Sequence, residues 1–388
     1  MAERQRIGLT FSYDEEWIAG TYYVLNIIHA LKLLQESEQP EVIIISEDKK
    51  NYDIVKKETA YSWLNFFKFP EAPPTYTTLE RLVNKFGLAI LRKKIVNKSP
   101  KLLQVDFVYP FHIGDYPIVP KKQVNWVPDF QEVHLPNLFS EEVIAQRKHR
   151  LEAIVCQGDW VVFSSKDSQN DFSTLQPNAK VSQFVLPFAV THPDFDFENI
   201  QNLRDKHLLP ERYYFAPNQF WAHKNHMVIL KAIKNLKAKG LDVVVAFSGK
   251  ENDHRNMEYT TQLKQFINDF DLTENVRFLG FLPRTEQLKL MQGALAIVQP
   301  SKFEGWSTVV EDAKAINQFL LLSNLRVHRE QTQNNVQFFE PEDYETLSSL
   351  METYWAAPPV IETIDYEAKK LDFGRNFLKL AKAVTTNI

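Results

Sequence analysis

A single cysteine, Cys156, stands in the 388 residues. No internal disulfide can form, which excludes a cross-linked secreted scaffold and favours a reducing compartment. Glycine is sparse at 11 residues and no G-x-G-x-x-G fingerprint occurs, so the phosphate turn of a nicotinamide dehydrogenase is missing. Basic charge is not in excess: 45 Lys and Arg face 49 Asp and Glu, a formal net charge of -4, which gives no global attraction for nucleic acid. No apolar run approaches the roughly 18 residues of a spanning helix. The N-terminal MAERQRIGLTFSYDEE turns acidic where a secretion signal would run apolar. A cytoplasmic protein is the expectation.

What is present is a full complement of core formers, with 44% hydrophobic residues and enough length for two domains. Apolar runs of strand length alternate with stretches of helical period, the signature of parallel sheets covered by helices. In the first half, RIGLTFS, EVIIIS, VDFVYPF, VNWVPD, WVVFSS and QFVLPF read as strands, with helices in GTYYVLNIIHALKLL and SEEVIAQRKHRLEAIV. After Tyr213 the strands are YYFAPN, DVVVAFSG, NVRFLGF, LAIVQPS, FLLLS and VQFFEP. Between the halves, Ala189 to Pro210 carries prolines and mixed charge without clear periodicity. The fold class is therefore α/β, two Rossmann-like doubly wound domains facing a cleft, where a ligand is expected.

The most informative segment is LAIVQPSKFEGWSTVVEDAKAI. A strand runs into a turn at Gly305, and Ser307 is placed to cap a helix starting near Thr308. Free amides and the helix dipole at such a point favour a diphosphate. Glu304 before the helix and an acid within it, Asp312 or Glu311, are placed to hold hydroxyls of a nucleotide-sugar. Adjacent helix positions differ by about 100°, so the rotation that selects between the two acids stays open.

The EGWSTVVED segment resembles the retaining GT-B glycosyltransferases of family 4, whose hallmark is two glutamates separated by seven residues beside a glycine turn. The resemblance covers residues 6 to 365 in pattern, with its specific motifs between Tyr213 and Gln331. It implies an acceptor-binding domain over 1–195, a donor-binding domain over 205–365, and a helix over 366–388 crossing back to the first domain. It implies transfer of a sugar, a hexose, from a nucleotide-sugar donor to a glycan or lipid-linked acceptor, with no cofactor and no metal. Glu304 and Lys224 would be catalytic. Gly20, Gln219, Lys224, Gly249, Glu304, Gly305, Trp306, Ser307, Thr308, Glu311 and Asp312 would line the donor site. Gln219 stands where the family has an arginine, Asp312 where it has a glutamate, and Pro128 where it has a histidine, which leaves Asp129 and His134 as acceptor-side candidates.

Other readings remain on the sequence. Asp194-Phe195-Asp196 and Asp269-Phe270-Asp271 fit the Asp-x-Asp string of metal-dependent transferases. His223 and His226, three apart, share a helix face, but no third ligand of usual spacing follows. A nucleotide-sugar-binding scaffold without turnover would keep the same motifs. Finally, residues 79–101 carry seven basic residues against one acid, interleaved with Leu82, Phe86 and other apolar residues. With Trp63, Phe66, Phe67 and Phe69 upstream, they suggest peripheral contact with the inner face of the plasma membrane, an ordinary solvated helix being the plainer alternative.

Overall fold

The computed structural model describes residues 4–14, 18–69, 76–91, 93, 95–96, 103–111, 122–251, 253 and 255–386. Strands β1 (Arg6–Thr10), β2 (Glu41–Ser46), β3 (Leu64–Lys68), β4 (Phe107–Tyr109), β5 (Lys122–Val127), β6 (Trp160–Phe163) and β7 (Ser182–Val185) form one parallel sheet in the order β3-β2-β1-β4-β5-β6-β7. Its helices are α1 (Ile18–Lys32), α2 (Lys49–Thr59), α3 (Thr78–Leu91), α4 (Gln131–His134), α5 (Glu141–Gln157) and α6 (Lys166–Leu175). Strands β8 (Tyr214–Pro217), β9 (Val245–Ser248), β10 (Val276–Phe278), β11 (Ala296–Gln299), β12 (Leu320–Ser323) and β13 (Val336–Phe339) form a second parallel sheet, ordered β10-β9-β8-β11-β12-β13. With it go α7 (Ile200–His207), α8 (His226–Ala238), α9 (Tyr259–Asp269), α10 (Arg284–Gly293), α11 (Thr308–Ala315), α12 (Arg326–Gln331), α13 (Tyr344–Ala356) and α14 (Tyr366–Thr386).

The inner strands β2, β6, β8, β9, β11 and β12 are nearly continuous apolar runs because helices cover both faces of each sheet, leaving no solvent side that would demand alternation. In β2, five successive residues from Val42 to Ser46 are buried. Strand order reverses between β1 and β4 in the first sheet and between β8 and β11 in the second. At these two points neighbouring loops leave in opposite directions and open a crevice, where sheets of this kind bind ligands.

Three local expectations are corrected. LNFFK is a strand, β3, pairing with β2 from Val42↔Leu64 to Ser46↔Lys68, so Phe66 and Phe67 belong to the sheet edge rather than to a docking patch. Trp63 packs on the main N-terminal core, and Phe67 and Phe69 on a smaller one. The stretch between the halves contains α7, whose Leu203 packs into the second unit's core; three charged residues and a short length hide its period. Helix α1 begins at Ile18, two residues before the GTYYVLNIIHALKLL run, which puts Gly20 within its first turn rather than at its start.

Helix α1 carries apolar residues around most of its circumference, with Tyr23, Val24, Leu25, Ile27, Ile28 and Leu31 all buried. The outer face is covered by α14, the last helix of the chain, which packs against it. The two helices approach closely at Gly374, where a Cβ would press into the carbonyl oxygen of Ala30. A methyl here must push the two helices apart. Gly374→Ala is expected to cost about 1–3 kcal/mol by overpacking, read as a lowered thermal midpoint; an unchanged midpoint would disprove this packing.

Candidate functional site

A cavity of about 1120 Å³ lies between the C-terminal edges of the two sheets. Its C-terminal wall comes from the turns after β8, β9 and β11 and the first turns of α10 and α11; its N-terminal wall includes Asp14, Gly20, Tyr22, Trp126, Asp129 and Arg147. Gly20, Gln219, Lys224, Gly249, Glu304, Gly305, Trp306, Ser307, Thr308, Asp312 and Asp129 all line it.

At its centre Lys224 and Glu304 form a salt bridge at 2.6 Å, with the glutamate side chain only 9% exposed. Glu304 Oε1 also accepts from Gln299 Nε2 and Ser301 Oγ, both at 2.7 Å. Gln299, fully buried at the end of β11, in turn accepts from Asn218 Nδ2 at 2.7 Å across the strand-order reversal. Asn225 holds the loop of Lys224 in place. Its backbone is left-handed, with φ of 58°, and its Nδ2 donates to the carbonyls of Pro300 and Pro341. Burial pushes the Glu304 carboxyl up, but Lys224, joined by His223 and His328, outweighs it and holds the group at about 2. The glutamate is thus a fixed anion aimed into the cleft.

Helix α11 starts beside this pair. Ser307 caps it through Val310 N, and Gln331 grips the backbone of Ser307, Oε1 accepting from its amide at 3.1 Å and Nε2 donating to its carbonyl at 2.7 Å. The amides of Thr308 and Val309 have no carbonyl partner within the helix by its geometry, and both residues face the cavity. Gly305 is required where the loop touches the other domain: a Cβ would lie 2.6 Å from Pro128 O and 2.7 Å from Asp129 Cβ. Gly249 has φ of 139° and a backbone pressed against Asn218, room for no side chain.

The rotation left open by the sequence is visible. Asp312 faces the cavity, whereas Glu311 points away from it and is buried against Lys314 at 2.7 Å, Gln331 at 2.9 Å and the Tyr366 hydroxyl at 2.6 Å. Glu311 is therefore not a cavity residue. Asp312 is itself occupied: both its oxygens accept from the Arg284 guanidinium and Oδ1 also meets His192 Nε2 at 3.0 Å. Burial pushes its carboxyl up, but Arg284 and His192 outweigh this and hold it at about 2.

His134 is a second correction. Its Nε2 is tied to Asp171 at 2.7 Å and its ring stacks on Phe303 at 5.1 Å, so Phe303 rather than His134 reaches the cavity. Asp129 does line it, accepting from Gln131 N at 3.1 Å, and burial raises its carboxyl above the usual range. His223 and His226 diverge. His223 lines the cavity, and burial, reinforced by Lys224, lowers it well below its usual range. His226 stacks on Phe220 at 4.6 Å in the aromatic core, lowered to about 3. Among the described residues no group of three or more His, Cys, Asp or Glu gathers as a metal site, and neither Asp-x-Asp string lines the cavity.

Three cavity cations escaped the sequence reading, Arg147, Arg255 and Arg284. Arg255 donates to Asp253, to His223 Nδ1 at 3.3 Å and, across the cleft, to Gln131 Oε1 at 3.0 Å. Arg284 sits at the first position of α10, where a cation opposes the helix dipole. That unfavourable placement is the one sequence signal of a carboxylate partner.

Residues 199–371 match the model of the family Glycosyl transferases group 1. Over 165 residues the chain is 26% identical to the O-antigen chain mannosyltransferase RfbU of Salmonella typhimurium, a match covering 42% of this chain and 44% of that protein. The chain thus spans less than half the length of that curated relative. Among solved structures it resembles a glycosyltransferase from Rickettsia africae, with TM-score 0.64 and 16% identity over 99% of this chain and 100% of that one. It also resembles sucrose-phosphate synthase from Thermosynechococcus elongatus (0.60, 16%, 98% and 95%) and Anabaena HepE in complex with UDP and glucose (0.60, 14%, 99% and 98%). At such identities the likeness is one of fold, the two-sheet GT-B architecture. The family match lies in the second half of the chain, while the likeness of fold runs over nearly its whole length. No helix among the described residues is long and apolar enough to cross a membrane.

Breaking the Arg284–Asp312 pair would strand a buried carboxylate, so Arg284→Met should cost about 3 kcal/mol in denaturant unfolding, and Arg284→Met with Asp312→Leu should recover part of it. No recovery in the double variant would refute the pairing as the cause. Glu304 and Asp312 both have depressed folded values, so their stabilisation is complete above the unfolded values of 4.5 and 3.8 and is lost as pH falls towards about 2. Lys224→Met should flatten the Glu304 share of this acid limb, measured as unfolding free energy against pH.

Proposed function

We propose that this protein moves a hexose from a nucleotide-diphosphate-sugar to a glycan or lipid-linked acceptor, with retention of anomeric configuration and without a metal, on the cytoplasmic side of the membrane. The observation that carries the reading is the convergence of the Lys224–Glu304 pair and the open end of α11 on one cavity between two sheet edges. A diphosphate placed there meets Lys224, the amides of Thr308 and Val309, and the helix dipole. Arg255 supplies a second cation beside His223, and Gln219 and Gly249 shape the backbone wall. Glu304, held ionised, accepts hydroxyls of the transferred sugar. Asp312 with Arg284 faces the nucleoside end.

In the transfer, an acceptor hydroxyl oxygen bonds to the anomeric carbon as the bond from that carbon to the phosphate oxygen breaks. The proton goes to the departing diphosphate. Catalysis then rests on positioning and on charge stabilisation at the phosphates, for which a general base on the protein is not needed. The N-terminal wall with Asp129 would receive the acceptor. The similarity to an O-antigen chain mannosyltransferase supports a hexose and a cell-surface polysaccharide product, and the architecture shared with a UDP- and glucose-bound protein supports a nucleotide-sugar donor.

UDP-, GDP-, ADP- and TDP-hexoses should be compared for thermal stabilisation and nucleoside diphosphate release, with a metal chelator present and absent. One donor is expected to stabilise the protein and be turned over in chelator, and Glu304→Gln should lower turnover by about 10²-fold or more. A donor that binds but never releases diphosphate would make the protein a nucleotide-sugar-binding scaffold. Activity abolished by chelator would end the metal-free reading.

A further inference from the structure

Helix α3 does not behave like the other helices around the first sheet. Its N-terminus is closed by a reciprocal cap: Thr77 Oγ1 accepts from Glu80 N at 3.3 Å and Glu80 Oε2 accepts from Thr77 N at 2.7 Å. Glu80 is the sole acid between positions 79 and 101, and its carboxylate is engaged in this cap. The helix is then covered on one side by the segment that follows it. Asn84 donates to Val96 O at 2.9 Å and accepts from Val96 N at 2.8 Å, while a Cβ on Gly87 would meet Ile95 Cγ1 at 2.6 Å.

At about 100° per residue, Leu79, Leu82 and Phe86 share a stripe roughly opposite Asn84. Among the described residues nothing covers that stripe. Leu79 is 73% exposed, Leu82 53% and Phe86 65%, and Ile95 beyond the helix is 54% exposed. Scattered apolar residues on a surface are ordinary, but a contiguous apolar stripe on one helix marks a contact surface.

Charge decides what it contacts. Arg81, Lys85 and Lys93 are exposed alongside the stripe, in a segment whose sequence carries seven basic residues against one acid while the whole chain is at -4. Arg92, Lys94, Lys98 and Lys101 lie outside the described residues. A protein interface of ordinary composition has a core depleted of charge and needs no such excess. An apolar face flanked by cations instead matches an anionic lipid surface, into which leucine and phenylalanine side chains insert while arginine and lysine stay at the headgroups.

We infer that the Leu79–Leu82–Phe86 face of α3, with Arg81 and Lys85 beside it, docks the protein on an anionic membrane surface. This deepens the reading of a lipid-linked acceptor but stands apart from the transferase chemistry, because α3 contributes no residue to the cavity. Helix α3 is the element that follows β3, and Phe69 at the end of β3 lines a second cavity of about 760 Å³ at the ligand edge of the first sheet. Docking through α3 would therefore bring the acceptor side of the molecule towards the lipid.

The test is flotation of the full chain with vesicles of phosphatidylcholine alone and of phosphatidylcholine and phosphatidylglycerol in equal parts. Flotation is expected only with the anionic vesicles at low salt, and its loss at about 1 M salt, where the screening length falls to roughly 3 Å. Leu82→Ser with Phe86→Ser, and separately Arg81→Glu with Lys85→Glu, should each reduce the floating fraction at least about tenfold, with stabilisation by nucleotide-sugar unchanged. Those positions are exposed, so the fold should survive, which circular dichroism checks. Absence of flotation by the wild type on anionic vesicles at low salt overturns the proposal. So does flotation that ignores both double variants, or self-association in sedimentation that the apolar double variant abolishes. Because nucleotide-sugar binding is read on the same samples, failure of the docking and failure of the transferase reading are told apart.

Discussion

The site is organised around a buried ion pair whose cost the surrounding hydrogen bonds must offset. Taking Lys224 and Glu304 out of water costs several kcal/mol per ion unless each remaining polar atom is satisfied. Glu304 Oε1 meets this requirement with three donors at once: Lys224, Gln299 and Ser301. The arrangement works only if β8 and β11 are neighbours, because Asn218 and Gln299 at their ends join hands across the strand-order reversal. Sheet topology is thus a precondition for the charge state of the glutamate. An apolar pair of the same volume would stabilise the fold as well or better, which makes ligand chemistry the more economical account of why two charges stand there.

Closure of the cleft depends on the same loop. Gly305 abuts Pro128 and Asp129, and the neighbouring Trp306 donates its indole N–H to Phe188 O at 3.0 Å. Arg255 reaches Gln131 from one side. On the other, Glu330 accepts from the amides of Lys166 and Asp167, capping α6 of the first domain from α12 of the second. Around the apolar contact of Trp306 with the first domain's core these links are polar, and they place Asp129 near enough to Glu304 for the glutamate to add to the rise that burial causes in the Asp129 carboxyl.

The sequence shows the sheets well and the partners of the site poorly, for one physical reason. Strand identity is local: each of the six runs after Tyr213 is mainly apolar because helices cover the sheet, and each is a strand. LNFFK was harder because an edge strand with half-exposed aromatics resembles a surface patch. Glu304, Gly305 and Lys224 were legible because a strand, a glycine turn and a capped helix fall within a short stretch, and because a lysine beside a turn suits phosphate. Arg284, Arg255, His192 and Gln331 were not, since each meets its partner only after the chain has crossed between elements or domains. Gln299 did carry a signal, a lone amide at the end of an otherwise apolar buried strand. His134 misled because a histidine near Asp129 in sequence ends up behind Phe303 in space.

The pair Glu311–Asp312 shows how one helix serves two demands. Rotated by about 100° from each other, Asp312 looks into the cleft and Glu311 looks back towards the chain crossing, where Tyr366 donates to it and accepts from Val190 N at 3.0 Å. Val190 lies on the outgoing crossing and Tyr366 at the start of α14 on the returning one, so a single phenolic oxygen joins both crossings to α11. Burial, together with Glu311, raises that hydroxyl well above its ordinary range and keeps it a donor. Any tilt of α11 that re-aims its free amides must lengthen the bond to Tyr366 or carry α14 with it, and α14 is locked on α1 at Gly374. The helix end that faces the cavity is therefore braced against the core of the opposite domain, which fixes the direction of its dipole before any ligand arrives.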